Sequence, residues 1–259
     1  MNILTSQLPS GGYGYVFPSV SVTPMNFMQM VHYIENVPTD PLEKYLYDIR
    51  LLMEEDRNIE NCYVMDVDFL IFYKKLCSVS SDLTYNISIK CPHCGQNIKK
   101  VISLENDIHF IQADSSIMSG AVVNLGGDTF NISVPTVRDF LKVFELYLRY
   151  KKISDLSMIK TIALFSEFED NPNQIENNVI GATHDDITAL LALRDLYYDR
   201  VEPISLFCSN TECPSKAEKE GGRVTVSIAN LIVDFFRDII NNSPISSDKI
   251  LFKQVSQNR

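Results

Sequence analysis

Residues 83–104 read LTYNISIKCPHCGQNIKKVISL. Leu83, Tyr85, Ile87 and Ile89 alternate with Thr84, Asn86, Ser88 and Lys90, which is the period of two expected of a strand buried on one face. The strand runs directly into Cys91-Pro92-His93-Cys94-Gly95, and a second alternating segment, Ile98 to Leu104, leaves it. Strand, CPxCG and strand together predict a β-hairpin whose turn is a zinc knuckle. The arrangement recurs far downstream. There Ile204, Leu206 and Cys208 lead into a Cys208-x4-Cys213 turn, and Gly221-Gly222 precede the alternating Val224, Val226 and Ile228.

Four thiolates satisfy a tetrahedral structural zinc and leave no open position for water, so Cys91, Cys94, Cys208 and Cys213 are the expected ligands of one zinc ion. The two cysteine pairs are separated by 113 residues. Closing a loop of that length costs roughly 4 kcal/mol, whereas a structural zinc is worth roughly 10 to 16 kcal/mol, so a metal can hold a split ribbon together. A disulfide framework needs a secretory route, and the N-terminus, MNILTSQLPSGGYGYVF, shows neither the basic nor the apolar region of a signal peptide. A redox CxxC would normally open a helix near a βαβ unit, but here the motif joins two strands. His93 lies inside the knuckle and could replace a cysteine as ligand; with four cysteines available it is expected to pack or to face solvent. Cys62 and Cys77, in or beside a helical region, read as small buried apolar side chains.

On the N-terminal side of the first knuckle the period is helical. Residues 1–24 form an extended arm, loosened by Gly11, Gly12 and Gly14 and kept from regular helix by Pro9 and Pro18. Thr23-Pro24 reads as a cap and first-turn proline for a helix through Phe27, Met28, Val31 and Ile34. Asp40-Pro41 opens a second helix with Leu42, Tyr45, Leu46, Ile49 and Leu52 on one face, and Asp66 a third through Phe69, Leu70, Tyr73 and Leu76. Residues 105–200 read as an insert. In it, strands at 121–125 and 129–134 flank Gly126-Gly127-Asp128, and helices open at Thr136, Ser154 and Thr183 with an exposed loop at 170–178 between the last two. A final helix carries Ile228, Leu231, Phe235 and Ile239.

The expected fold is therefore α+β, a split zinc ribbon of two knuckle hairpins with an N-terminal helical region and an inserted, mainly helical subdomain. Its segments are the arm 1–24, a helical region with the first knuckle hairpin at 25–104, the insert at 105–200, and the second hairpin with a C-terminal helix and tail at 201–259.

Composition narrows the function. The 259 residues are 45% hydrophobic and 22% charged, which excludes disordered, fibrous and collagenous classes, and no run approaches the roughly 18 to 20 apolar residues of a membrane span. Against 23 basic residues stand 33 acidic ones, a net charge of −10. Binding by counterion release from phosphates is disfavoured, so nucleic acid is not an expected partner. Catalytic signals are lacking: there is no P-loop, GxSxG, HExxH or dinucleotide fingerprint, and His184-Asp185-Asp186 at a helix start is explained by the helix dipole. The expectation is a protein that is not an enzyme. A zinc-ribbon adaptor for nucleic acid or transcription machinery is the rival reading, favoured by Lys90, Lys99 and Lys100 around the first knuckle and opposed by the net charge.

LPSGGY near the N-terminus, the helical DVDFLIFYKKL followed by serine, a strand, CPHC, a strand ending in leucine, and a second cysteine pair before VDFFRD resemble the baseplate hub and hub-assembly proteins of contractile-tailed bacteriophages. The likeness covers about residues 3–24, 64–104 and 204–238; the insert shares a helical character and a TFxISVP-like segment. It implies a structural or assembly protein of the tail baseplate, made in the host cytoplasm, with other baseplate and hub subunits as partners in a multi-subunit assembly. The wider spacing of Cys208 and Cys213 departs from the first pair.

Overall fold

A computed structural model describes residues 1–79, 84–150, 156–166, 172–198, 200, 202, 204–214 and 223–226. Helices and small antiparallel two-stranded sheets make an α+β structure. The chain divides into two compact units, each assembled from separate stretches. One comprises Met1–Thr23, Val37–Ile71 and Phe110–Arg200; the other comprises Pro24–Asn36, Phe72–His109 and the described residues beyond Arg200. None of the described helices is long and apolar enough to cross a membrane.

In the first unit the N-terminal segment is a closed structure. Strand β1 (Asn2–Leu4) pairs antiparallel with β2 (Ser19–Ser21), and the loop between them begins with a 3-10 turn at Thr5–Gln7. Leu8, Val20 and Val22 are buried, so the segment contributes to the core of its own unit. Helix α2 (Pro41–Glu55) starts as the sequence indicates: the Asp40 carboxylate accepts from the backbone N–H of Leu42 and Glu43, each at 3.0 Å. A 3-10 turn at Arg57–Asn61 leads to α3 (Val64–Val79), and the division between the units falls within this helix.

Asp66 does not cap α3. It lies in the first turn with no exposed surface and accepts from the backbone N–H of Ser10 at 2.7 Å, the Ser10 hydroxyl at 2.6 Å and the Tyr15 hydroxyl at 2.5 Å. Tyr15 oxygen in turn accepts from the N–H of Tyr63 at 2.7 Å, and the two rings stack. A buried carboxylate needs donors, and the N-terminal loop supplies three of them. Burial pushes the Asp66 carboxyl up to about 6, against the lowering pull of the Ser10 and Tyr15 bonds.

The rest of the first unit begins with α5 (Ser115–Met118), capped by Asp114. Strands β5 (Ala121–Leu125) and β6 (Asp128–Ile132) form a hairpin whose Gly126 and Gly127 both adopt positive φ, as a two-residue turn of this kind requires. Helix α6 (Val137–Tyr150) opens at Thr136, which exchanges bonds with Asp139 in a capping box, and α7 (Leu156–Ile162) follows. Residues 172–178, read as loop from their Asn and Pro content, instead belong to α8 (Pro172–Gly181). Pro172 occupies the start, where its missing N–H costs nothing, and Ile175 and Val179 lie one turn apart and buried. Helix α9 (His184–Tyr198) begins at Thr183, where Asp186 closes the capping box. Ile49, Leu52, Ile59, Leu70, Phe140 and Ile159 form the centre of this core.

In the second unit, α1 (Phe27–Asn36) begins three residues later than Thr23-Pro24 suggests. Asn26 and Gln29 exchange side-chain bonds with each other's backbone N–H, at 3.0 and 2.9 Å, and so do the capping, while the Met25 N–H is taken by the Ser78 hydroxyl. Strands β3 (Thr84–Lys90) and β4 (Asn97–Ser103) pair antiparallel with Lys90 opposite Asn97, and a single turn, α4 (Leu104–Asp107), follows. Strands β7 (Ile204–Phe207) and β8 (Arg223–Val226) make a second hairpin, with Phe207 opposite Arg223. Ile87, Ile98, Ile102, Ile204 and Leu206 are buried, and β7 approaches β4. Leu83, Ser154, Gly221-Gly222 and the helix expected at 228–239 lie outside the described residues.

Candidate metal centre

Both cysteine pairs sit where a strand ends. Cys91 follows the last residue of β3, and the chain turns back at once: Cys91 N–H donates to Gln96 O and Gly95 N–H to Cys91 O, both at 2.8 Å. Gly95 takes φ of +72° with open space where a Cβ would stand, so backbone conformation, and not crowding, calls for glycine there. Cys208 follows the last residue of β7. Its turn is held by Asn210, whose side-chain oxygen accepts from Glu212 N–H at 3.0 Å and whose carbonyl accepts from Cys213 N–H at 3.3 Å. The side chain of Gln96 reaches across to Ser209 Oγ at 3.3 Å and ties one turn to the other.

The four sulfurs converge. Cys91 Sγ lies 3.7 Å from Cys213 Sγ and Cys94 Sγ 3.6 Å from Cys208 Sγ, and all four lie within 4.8 Å of one another. Cys91, Cys208 and Cys213 are buried and Cys94 is half-buried; none is in a disulfide. Sulfurs at the corners of a tetrahedron around a zinc with Zn–S near 2.3 Å would be about 3.8 Å apart. The separations of 3.6 and 3.7 Å match that edge, and four soft donors without a carboxylate suit zinc or iron and not magnesium or calcium. The group can hold a metal ion.

The thiols differ among themselves. The backbone N–H of Gln96 and the Asn210 side chain lower Cys94 to about 7, whereas Cys208, although drawn down by the Asn210 N–H, is carried up to about 12 by desolvation and the neighbouring sulfurs. A cation at the centre would favour the thiolate at every corner.

The other residues weighed from sequence lie elsewhere. His93 is exposed and outside the four-sulfur group. Cys62 is buried in the first unit, its thiol donating to Asn58 O at 3.5 Å and pushed up to about 12 by burial, and Cys77 is likewise raised by burial. Lys100 is paired with Asp107, while Lys90 and Lys99 are exposed. Asp185 and Asp186 occupy the first turn of α9. The Gln96–Ser209 tie has no counterpart in the sequence reading, because neither residue belongs to a spaced motif.

Comparison with known protein families, curated proteins and solved structures gives no match to this chain.

Proposed function

We propose that this chain is a non-enzymatic structural or assembly protein of a contractile phage tail baseplate, in the hub region. A structural zinc bound by Cys91, Cys94, Cys208 and Cys213 closes its split zinc ribbon. The observation that carries the metal reading is the convergence of four sulfurs from two hairpins far apart in sequence. Zinc is preferred over iron because a closed four-thiolate site between two hairpins is a common structural use of that ion. The baseplate reading rests on the sequence likeness. Two of its motifs, LPSGGY and DVDFLIFYKKL, meet at the Ser10–Asp66 pair, which gives a physical reason for their joint occurrence. Partners are other baseplate subunits, and the site of action is the tail.

The test is direct. An antibody against the chain is used to probe purified phage particles and baseplate assembly intermediates, and elemental analysis of the isolated protein counts its metal. Presence in either preparation together with one zinc per chain is the expected result; absence from both rejects the baseplate reading. Exposed Lys90 and Lys99 beside the first knuckle favour the rival adaptor. Salt-sensitive binding to duplex or single-stranded DNA at about 0.15 M salt would decide for it.

A further inference from the structure

The four sulfurs are not equally placed. Two close sulfur contacts cross between the turns: Cys94 lies 3.6 Å from Cys208 and Cys91 lies 3.7 Å from Cys213. Cys94 is the half-buried corner, while Cys91, Cys208 and Cys213 are 2 to 3% exposed. An oxidant arriving from solvent therefore meets Cys94 first, and a sulfur of the other hairpin, Cys208, lies 3.6 Å away to resolve the product.

We propose that peroxide converts this cluster into two disulfides that both cross between the hairpins, Cys94–Cys208 first and Cys91–Cys213 second, so that sulfur–sulfur bonds take over the stapling as the metal leaves. The inference rests on the reading of the cluster as a zinc site. In the first step the Cys94 thiolate attacks one peroxide oxygen, the O–O bond breaks, and Cys94 sulfenic acid and hydroxide form. The Cys208 thiolate then attacks the Cys94 sulfur, the S–O bond breaks, and a second hydroxide leaves as the disulfide closes. Cys91 and Cys213 repeat the sequence with a second peroxide. Four thiolates lose four electrons to two peroxides, four protons convert the hydroxides to water, and one zinc ion is released. Each pair must close from its present separation to the 2.05 Å or so of a disulfide, a short side-chain movement. A chain built this way keeps its hairpins joined in reducing surroundings by zinc and in oxidising ones by covalent bonds. Cys62 stays out of the exchange because its thiol is buried beside Asn58 O.

The experiment uses the full-length protein purified with a reductant that is then removed. Zinc content is measured first. Hydrogen peroxide is added in steps while a chromophoric chelator reports zinc release, free thiols are blocked with N-ethylmaleimide, and tryptic peptides are mapped without reduction. Cys91 and Cys94 fall on peptide 91–99, and Cys208 and Cys213 on peptide 201–216. The expected result is release of one zinc for two peroxides and the two peptides joined, with Cys94–Cys208 the bond present at half release. Unjoined peptides with a Cys91–Cys94 bridge, or Cys94 carried to sulfinic acid while Cys208 is alkylated, overturn the proposal. In Cys208→Ser, capture of Cys94 sulfenic acid by dimedone should rise severalfold over wild type; no rise also overturns it. If that variant does not fold, the wild-type connectivity decides alone. Protein free of zinc from the outset that still forms the crossed bonds refutes the zinc reading and leaves the sulfur pairing intact, so the two failures are told apart.

Discussion

Replacing Cys213 by serine takes one thiolate from a closed four-sulfur group and leaves its partner Cys91, 3.7 Å away, facing a hydroxyl. The size of the effect follows from what else holds β7 in place. Ile204 and Leu206 are 3% and 1% exposed, and burying two such side chains is worth about 4 kcal/mol. Bringing residue 208 to residue 94 across a sequence separation of 114 costs about 4 kcal/mol of chain entropy. These terms roughly cancel, so on the zinc reading proposed above the metal supplies the margin that holds the second hairpin in place. A structural zinc offers roughly 10 kcal/mol or more, and three thiolates retain only part of it. In Cys213→Ser, zinc measured after dialysis against a chelator should fall from one per chain to near zero. Amide exchange should then lose protection at 204–207 and soften at 84–90 and 97–103. Helices α2, α6 and α9 of the other unit should keep their protection, since their buried faces do not involve the cluster. Full zinc content in Cys213→Ser, or unchanged exchange at β7 once zinc is gone, would refute the reasoning.

Cys62→Ser and Cys77→Ser should leave the zinc content unchanged, because neither thiol is in the four-sulfur group; elemental analysis checks this. Asp66→Ala strands the Ser10 N–H, the Ser10 hydroxyl and the Tyr15 hydroxyl, and should lower stability by about 3 to 5 kcal/mol in urea unfolding. Asp66 near 6 in the folded protein lies above the ordinary aspartate value of 3.8, so its contribution is complete below pH 4 and is lost as pH rises through 6. That amounts to about 3 kcal/mol over the window, and a stability-against-pH profile should be flatter there in Asp66→Asn. Removing residues 1–22 takes away the buried Leu8, Val20 and Val22 and uncovers Asp66, so the truncated protein should melt several degrees lower, as read by circular dichroism. Gly120→Ala would put a Cβ 2.4 Å from Ile132 O at φ of +77°, and should destabilise by more than about 1 kcal/mol in the same assay.

Periodicity and capping chemistry are local, and they were legible wherever the deciding contacts are local too. Asp40-Pro41 starts α2, Thr136 starts α6, Gly126-Gly127 turns a hairpin, and the alternation around CPHCG is a two-stranded antiparallel ladder. Paired cysteines at two strand exits identify all four members of the sulfur group, because a cysteine pair at a strand exit carries its geometry with it. Where sequence reading went astray, a distant partner had changed the local preference. Pro24 looks like a first-turn proline, but Ser78 takes the next N–H and Asn26 offers a better cap. DNPNQIENN is polar enough for a loop, but two apolar residues four apart suffice to bury one helical face.

By itself the sequence determined most classes of element, the two hairpins and the four cysteines of the sulfur group, since strand alternation, turn residues and the spacing within each cysteine pair are local. Only the tertiary structure decided that Cys91 faces Cys213 while Cys94 faces Cys208, that Gln96 ties to Ser209, and that the N-terminal segment folds back on a buried aspartate. Those pairings join residues 56 to 122 positions apart. No short-range pattern encodes them, because the free energy that selects them comes from desolvated groups finding partners after the elements have packed.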